Sequence, residues 1–131
     1  MKKMVDAPSK KILVVDDEIK ILTSLDNILK CAHYDVVCTT EGKEAIRLAK
    51  DINPDLIILD LKLPDMRGED VFDALSEDPS TNRIPIIFLT GTISKQFAEN
   101  SRKKTGNYCL LAKPTTTEEV LETVRKVLSK Q

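Results

Sequence analysis

Lys11-Ile12-Leu13-Val14-Val15-Asp16-Asp17-Glu18 runs four apolar side chains straight into three acids. Adjacent carboxylates repel one another unless a cation or the positive end of a helix sits beside them. Further along, other apolar runs also end in polar groups. Asp60 follows Leu56-Ile57-Ile58-Leu59, Thr90-Gly91 follows Ile86-Ile87-Phe88-Leu89, and Lys113-Pro114 follows Cys109-Leu110-Leu111-Ala112. Gathered in one place, Asp16, Asp17, Asp60, Thr90 and Lys113 would make an anionic pocket with one hydroxyl and one amine. Mg²⁺ suits such a pocket: it prefers oxygen ligands, binds through one or two carboxylates and completes its shell with water and phosphate oxygens. Taken singly, each residue has an ordinary explanation. Asp17 could cap the next helix, Asp60 could cap a loop, Thr90 could be a β-former and Lys113 a solvated lysine. Their coincidence at the ends of apolar runs is what points to magnesium-assisted phosphoryl chemistry.

An alternation of strands and helices would do the gathering. Strands are expected at 11–16, 34–39, 55–60, 85–90 and 108–112. Between them, helical spacing places Leu22, Leu25, Ile28 and Leu29 on one face of a helix from Glu18 to Cys31. Ala45, Ile46, Leu48, Ala49 and Ile52 share a face over Glu41–Ile52, which Asn53-Pro54 closes. A short helix at 69–77 carries Val71, Phe72 and Leu75, and a polar fourth helix is expected at about 93–104. The final helix begins at about 116, with Val120, Leu121, Val124, Val127 and Leu128 inward. Both Thr115-x-x-Glu118 and Thr116-x-x-Glu119 offer it a capping box. This is an α/β chain of (βα)5 type. Strands joined by helical crossovers pair in parallel, with helices on both faces of the sheet. Unalternating apolar strands agree with burial on both faces. In such open sheets ligands bind beyond the carboxyl ends of the strands, where these polar groups fall.

The 131 residues fit a single domain, with 1–9 expected as a flexible N-terminal tail and 10–131 as the folded unit. Apolar residues make up 41% and charged residues 31%, against disorder, and a net charge of −1 gives no field toward nucleic acid or anionic membranes. No apolar run approaches the ~20 residues of a membrane helix, and no secretory h-region follows the first lysines. Cys31, Cys38 and Cys109 lack disulfide or metal spacing and are expected to be reduced core thiols of a cytoplasmic protein. His33, the only histidine, is expected at the surface or in a turn.

With VVDDE, LDLKLPDMRG, FLTGT and AKP in this order, the sequence from Lys10 to Ser129 resembles a response-regulator receiver domain of two-component signalling. The resemblance implies a flavodoxin-like, doubly wound, five-stranded parallel sheet in the order 2-1-3-4-5. It implies that Asp60 accepts a phosphoryl group from a histidine kinase or histidine phosphotransfer protein. Asp17, Asp60 and the backbone carbonyl of Lys62 would be direct Mg²⁺ ligands, with Asp16 acting through water. Thr90 would bond a phosphoryl oxygen and Lys113 would pair with it. Gly91 would leave room for the phosphoryl group, Pro114 would be a cis-proline that aims Lys113, and Gly68 would occupy a turn of positive φ. Phosphorylation would switch the face made by the fourth helix, fifth strand and final helix, for a downstream protein or an output domain. Such a chain has no independent turnover beyond slow dephosphorylation of itself.

The family's usual switch aromatic falls on Leu110, with Tyr108 two residues earlier, so the threonine–aromatic coupling is not expected in its usual form. The fourth helix has little to bury after Ile93, Phe97 and Ala98. Lys62 is expected to shield the acyl phosphate from water. A rival reading is a pseudo-receiver that binds its partner without phosphorylation, against which the complete set of acids, Thr90 and Lys113 argue. A haloacid-dehalogenase-type phosphohydrolase would need Asp-x-Asp at the first strand, where Asp-Asp-Glu stands, and an FMN site would need a phosphate loop that the sequence lacks.

Overall fold

The computed structural model describes residues 9–91, 108–113 and 115–129. In chain order the strands are β1 (Lys11–Val15), β2 (Asp35–Thr39), β3 (Leu56–Leu59), β4 (Ile86–Thr90) and β5 (Tyr108–Ala112). The helices are α1 (Ile19–Cys31), α2 (Gly42–Ile52), α3 (Gly68–Glu77) and α4 (Thr117–Ser129). The expected helix at about 93–104 lies outside the described residues, as does the tail at 1–8.

The strands form one parallel sheet in the order β2-β1-β3-β4-β5, as the sequence resemblance implied. Every residue of Leu56–Leu59 is buried, because β3 lies between β1 and β4 and is covered on both faces. Successive side chains point to opposite faces, and the apolar core divides accordingly. Leu13, Val15, Ile57, Leu59 and Phe88 pack against α2 and α3 through Ala45, Ala49, Val71, Phe72 and Leu75. Ile12, Val14, Ile58, Ile87 and Leu89 pack against α1 and α4 through Leu22, Leu25, Leu29, Val120 and Val124. Removing a side chain such as Phe72, with its ring 5.4 Å from that of Phe88, would cost about 3–5 kcal/mol.

Local signals set the helix ends. Asn53 takes the left-handed conformation, φ 47°, and closes α2 by donating its N–H to the Ala49 carbonyl at 3.1 Å. Of the two capping boxes offered to α4, the Thr116–Glu119 pair forms: the Glu119 N–H donates to Thr116 Oγ1 at 3.1 Å and the Thr116 N–H to Glu119 Oε1 at 3.0 Å. Asp17 does not cap α1, whose N-cap position is Glu18 with no side-chain cap bond. His33 sits exposed in the turn after α1 at φ 71°.

The cysteines correct an expectation. All three are free, but Cys31 and Cys38 are exposed and Cys109 is half-buried. Cys38 stands on β2, which among the described residues pairs only with β1, and Cys31 is the last residue of α1. Apolar neighbours in sequence do not bury a side chain on an edge strand or at a helix end.

Candidate functional site

Strand geometry brings the acids together. The Asp60 N–H donates to the Val15 carbonyl at 2.9 Å, so the residue that follows β3 is tied to the end of β1, next to Asp16. Both carboxylates point into the protein: Asp16 is 1% exposed and Asp60 3%. An Asx turn, with the Glu18 N–H donating to Asp16 Oδ1 at 2.9 Å, starts the chain into α1. Asp17 and Glu18 are therefore left on the exposed rim. Carboxylate oxygens of Asp16, Asp17, Glu18 and Asp60 lie within 4.8 Å of one another.

Lys113, just past β5, answers this cluster. Its ammonium is 2.9 Å from Asp16 Oδ2, 3.1 Å from Asp60 Oδ2 and 3.2 Å from Glu18 Oε1. Burial raises the Asp16 carboxyl to about 6, and the charge of Asp60 adds to the rise, while bonds from the Glu18 N–H and Lys113 oppose it. Desolvation pulls the Lys113 ammonium down, yet its bonds to Asp16 and Asp60 and their charges raise it overall. One ammonium thus pairs with three of the four clustered carboxylates. A hard divalent cation suits such an all-oxygen cluster with excess negative charge.

The remaining expected residues fall nearby. Thr90 ends β4, paired in register with Ala112, one residue before Lys113. The Lys62 N–H donates to Asp60 Oδ1 at 3.3 Å, and the Lys62 side chain is exposed. Pro114 and the Thr92 side of the strand 4 loop lie outside the described residues. Gly91 is exposed, and a Cβ there would meet no atom within 4 Å. Gly68 is needed for a reason other than the one expected. It is the first residue of α3, and a Cβ on it would stand 2.3 Å from the Asp60 carbonyl oxygen and 2.6 Å from Leu61 Cα. Close approach, not a positive φ, excludes a side chain there.

Glu18 was missed as a site residue. Its signal was its place directly after Asp16-Asp17, but only the fold puts it against Lys113, which lies 95 positions away. Beside these two residues opens a groove of about 560 Å³ between α1 and α4, walled by Ile21, Leu25, Ile28, Leu89 and Val120. At the switch position Leu110 is 41% exposed, whereas Tyr108 packs edge-on to Phe72 and Phe88, with centroids 5.9 and 5.7 Å away.

A doubly wound parallel sheet whose strand ends hold a carboxylate cluster and its lysine defines a receiver of the two-component type. Residues 12–125 match the family model of the response regulator receiver domain, and the chain belongs to that family. It is 28% identical over 120 residues to the polar-differentiation response regulator DivK of Brucella ovis, covering 92% of this chain and 97% of that protein. The chemotaxis protein CheY4 of Vibrio cholerae superposes with a TM-score of 0.83 at 31% identity, over 92% of this chain and 99% of the other. The receiver domain of sensor histidine kinase PA1611 from Pseudomonas aeruginosa PAO1 was solved with a magnesium ion coordinated in its active-site cleft. It superposes with a TM-score of 0.82 at 26% identity, over 93% of this chain and 99% of the other. Receiver domains are phosphoaccepting signalling modules, not enzymes in the ordinary sense. Among the described residues no helix is long and apolar enough to cross a membrane.

Proposed function

We propose that Asp60 accepts a phosphoryl group from a histidine kinase or a histidine phosphotransfer protein, and that this controls a downstream protein or an output domain. The observation that carries the reading is the Asp60 carboxylate, 3% exposed at the strand end and 3.1 Å from the Lys113 ammonium. One Asp60 oxygen attacks phosphorus as the donor's phosphorus–nitrogen bond breaks. The electron pair leaves with the imidazole, and an acyl phosphate forms. Lys113 then pairs with the charge gained, and Thr90 would bond a phosphoryl oxygen from the end of β4. Asp17, Asp60 and the Lys62 carbonyl would hold Mg²⁺, with Asp16 beside them; the four-carboxylate cluster supports that assignment. Bound there, the ion would supply charge neutralisation for the phosphoryl oxygens. The apolar groove beside Lys113 supports a protein donor that rests against α1 and α4.

On this reading residues 10–131 are the receiver, 1–9 a tail, and the protein works in the cytoplasm. The switching face comprises the segment at about 93–104, β5 and α4. Acetyl phosphate with Mg²⁺, followed by intact mass, tests the proposal. Wild type should gain one phosphoryl group and Asp60→Asn none. Equal phosphorylation of Asp60→Asn would remove Asp60 from its role, and an unmodified wild type would favour the pseudo-receiver.

A further inference from the structure

We infer that Asp65 is a positioning residue for the metal and phosphoryl site, acting through the loop that follows Asp60 and binding that loop to the start of α2. The inference rests on the receiver reading above. The loop is closed at its base: the Gly68 N–H donates to the Leu61 carbonyl at 2.8 Å, and Lys62 and Arg67 form an isolated antiparallel bridge. There the backbone of Gly68 lies directly on that of Asp60 and Leu61.

The polar tie between the tip of the loop and α2 is made by the side chain of Asp65, beside the core packing of Leu63 and Met66. Asp65 Oδ1 accepts the Gly42 N–H at 2.7 Å, and Oδ2 accepts the Lys43 N–H at 2.9 Å. These are the first two residues of α2, whose own N-cap residue, Glu41, makes no side-chain cap bond. The cap therefore comes from 23 positions along the chain, out of the loop that carries the Lys62 carbonyl. Met66 reinforces the contact, since a Cβ on Gly42 would stand 2.4 Å from Met66 Cγ. Both bonds are charge-assisted and lie at the positive end of a helix dipole, and the amides of Lys43 and Gly42 hold the Asp65 carboxyl below its ordinary range. Among the described residues Asp65 makes no ion pair, so its carboxylate is committed to these amides.

Groups that hold a metal lose affinity when the bonds supporting them are removed, commonly by ten-fold or more. Freed at its tip, the loop would place the Lys62 carbonyl less well. Linkage is reciprocal, so bound Mg²⁺ should in turn tighten the Asp65 contact and protect the α2 amides.

The test titrates MgCl₂ into the full chain, as wild type, Asp65→Ala, Asp65→Asn and Arg47→Ala, and follows amide exchange at Gly42 and Lys43. Asp65→Ala should bind Mg²⁺ about ten-fold more weakly. Asp65→Asn, which keeps one acceptor oxygen, should fall between, and Arg47→Ala, on the same helix, should match wild type. Mg²⁺ should slow exchange at Gly42 and Lys43 in wild type but not in Asp65→Ala. If Asp65→Ala does not fold, Asp65→Asn decides alone. Wild-type affinity in a folded Asp65 variant, or no Mg²⁺ effect on those amides in wild type, overturns the inference. A wild type that binds no Mg²⁺ overturns the proposed Mg²⁺-dependent phosphoacceptor function, and the inference falls with it.

Discussion

Four carboxylates gather within 4.8 Å of one another and the one ammonium beside them pairs with three, Asp16, Glu18 and Asp60, so the site carries more negative charge than Lys113 balances. That excess opposes the metal-free fold and favours a divalent cation, which makes stability and metal affinity move in opposite directions. Asp17 is the residue on which to see this, because it is exposed and its loss opens no cavity. Asp17→Asn should stabilise the metal-free protein by on the order of 0.5–1 kcal/mol, the usual size of exposed charge terms. Mg²⁺ should then raise its melting temperature less than that of wild type. Thermal unfolding with and without MgCl₂ measures both. In the same titration Asp17→Ala should weaken Mg²⁺ binding more than Asp16→Ala, and the opposite order would mean the two acids exchange roles.

At the scale of the element, caps and close approaches set the frame around the site. The start of α4 follows Lys113 closely, so its cap helps fix where the β5–α4 connection ends. Thr116 Oγ1 accepts the Glu119 N–H, whereas Thr115 Oγ1 reaches only Glu119 Oε1 at 3.5 Å. Thr116→Ala should therefore lose about 1 kcal/mol in urea denaturation, and Thr115→Ala only a small part of that. Equal losses would place the start of the helix one residue earlier. The two threonines look alike in sequence because Glu118 and Glu119 give each a partner three residues on. Only the backbone path chooses between them.

The whole molecule is a sheet with two separate apolar faces, and the site lies at the strand ends where they meet. Tyr108 is on the α2–α3 face, locked edge-on against Phe72 and Phe88, while Leu110 stands exposed on the neighbouring β5 position of the same face. No ring at position 110 has to rotate when the site is charged. Amide exchange of the Mg²⁺-bound protein with and without beryllofluoride should therefore change little in β5 and α1 to α3, and most between 92 and 107. Equal change across all helices would refute this.

Local pattern was enough for most of the architecture. Short apolar runs bounded by turn residues favour strands, most of them covered on both sides, and helical spacing between them favours parallel pairing, so the elements and the chemistry at their ends were legible in the chain. Asp16, Asp17, Asp60 and Lys113 could be found because each directly follows or closely succeeds a strand, where an open sheet collects its ligands. Contacts between residues distant in sequence were not legible. Glu18 joins the site only because the strand ends gather at one edge of the sheet, where the Lys113 side chain reaches it. Asp65 caps α2 only because the loop after β3 folds over it, and Gly68 lies against Asp60 only because that loop closes on its own base. Cys38 looked internal until the strand order put β2 at an edge. Each was decided by which backbones the folded sheet brings within a few ångströms, a property of the assembled molecule that no local stretch encodes.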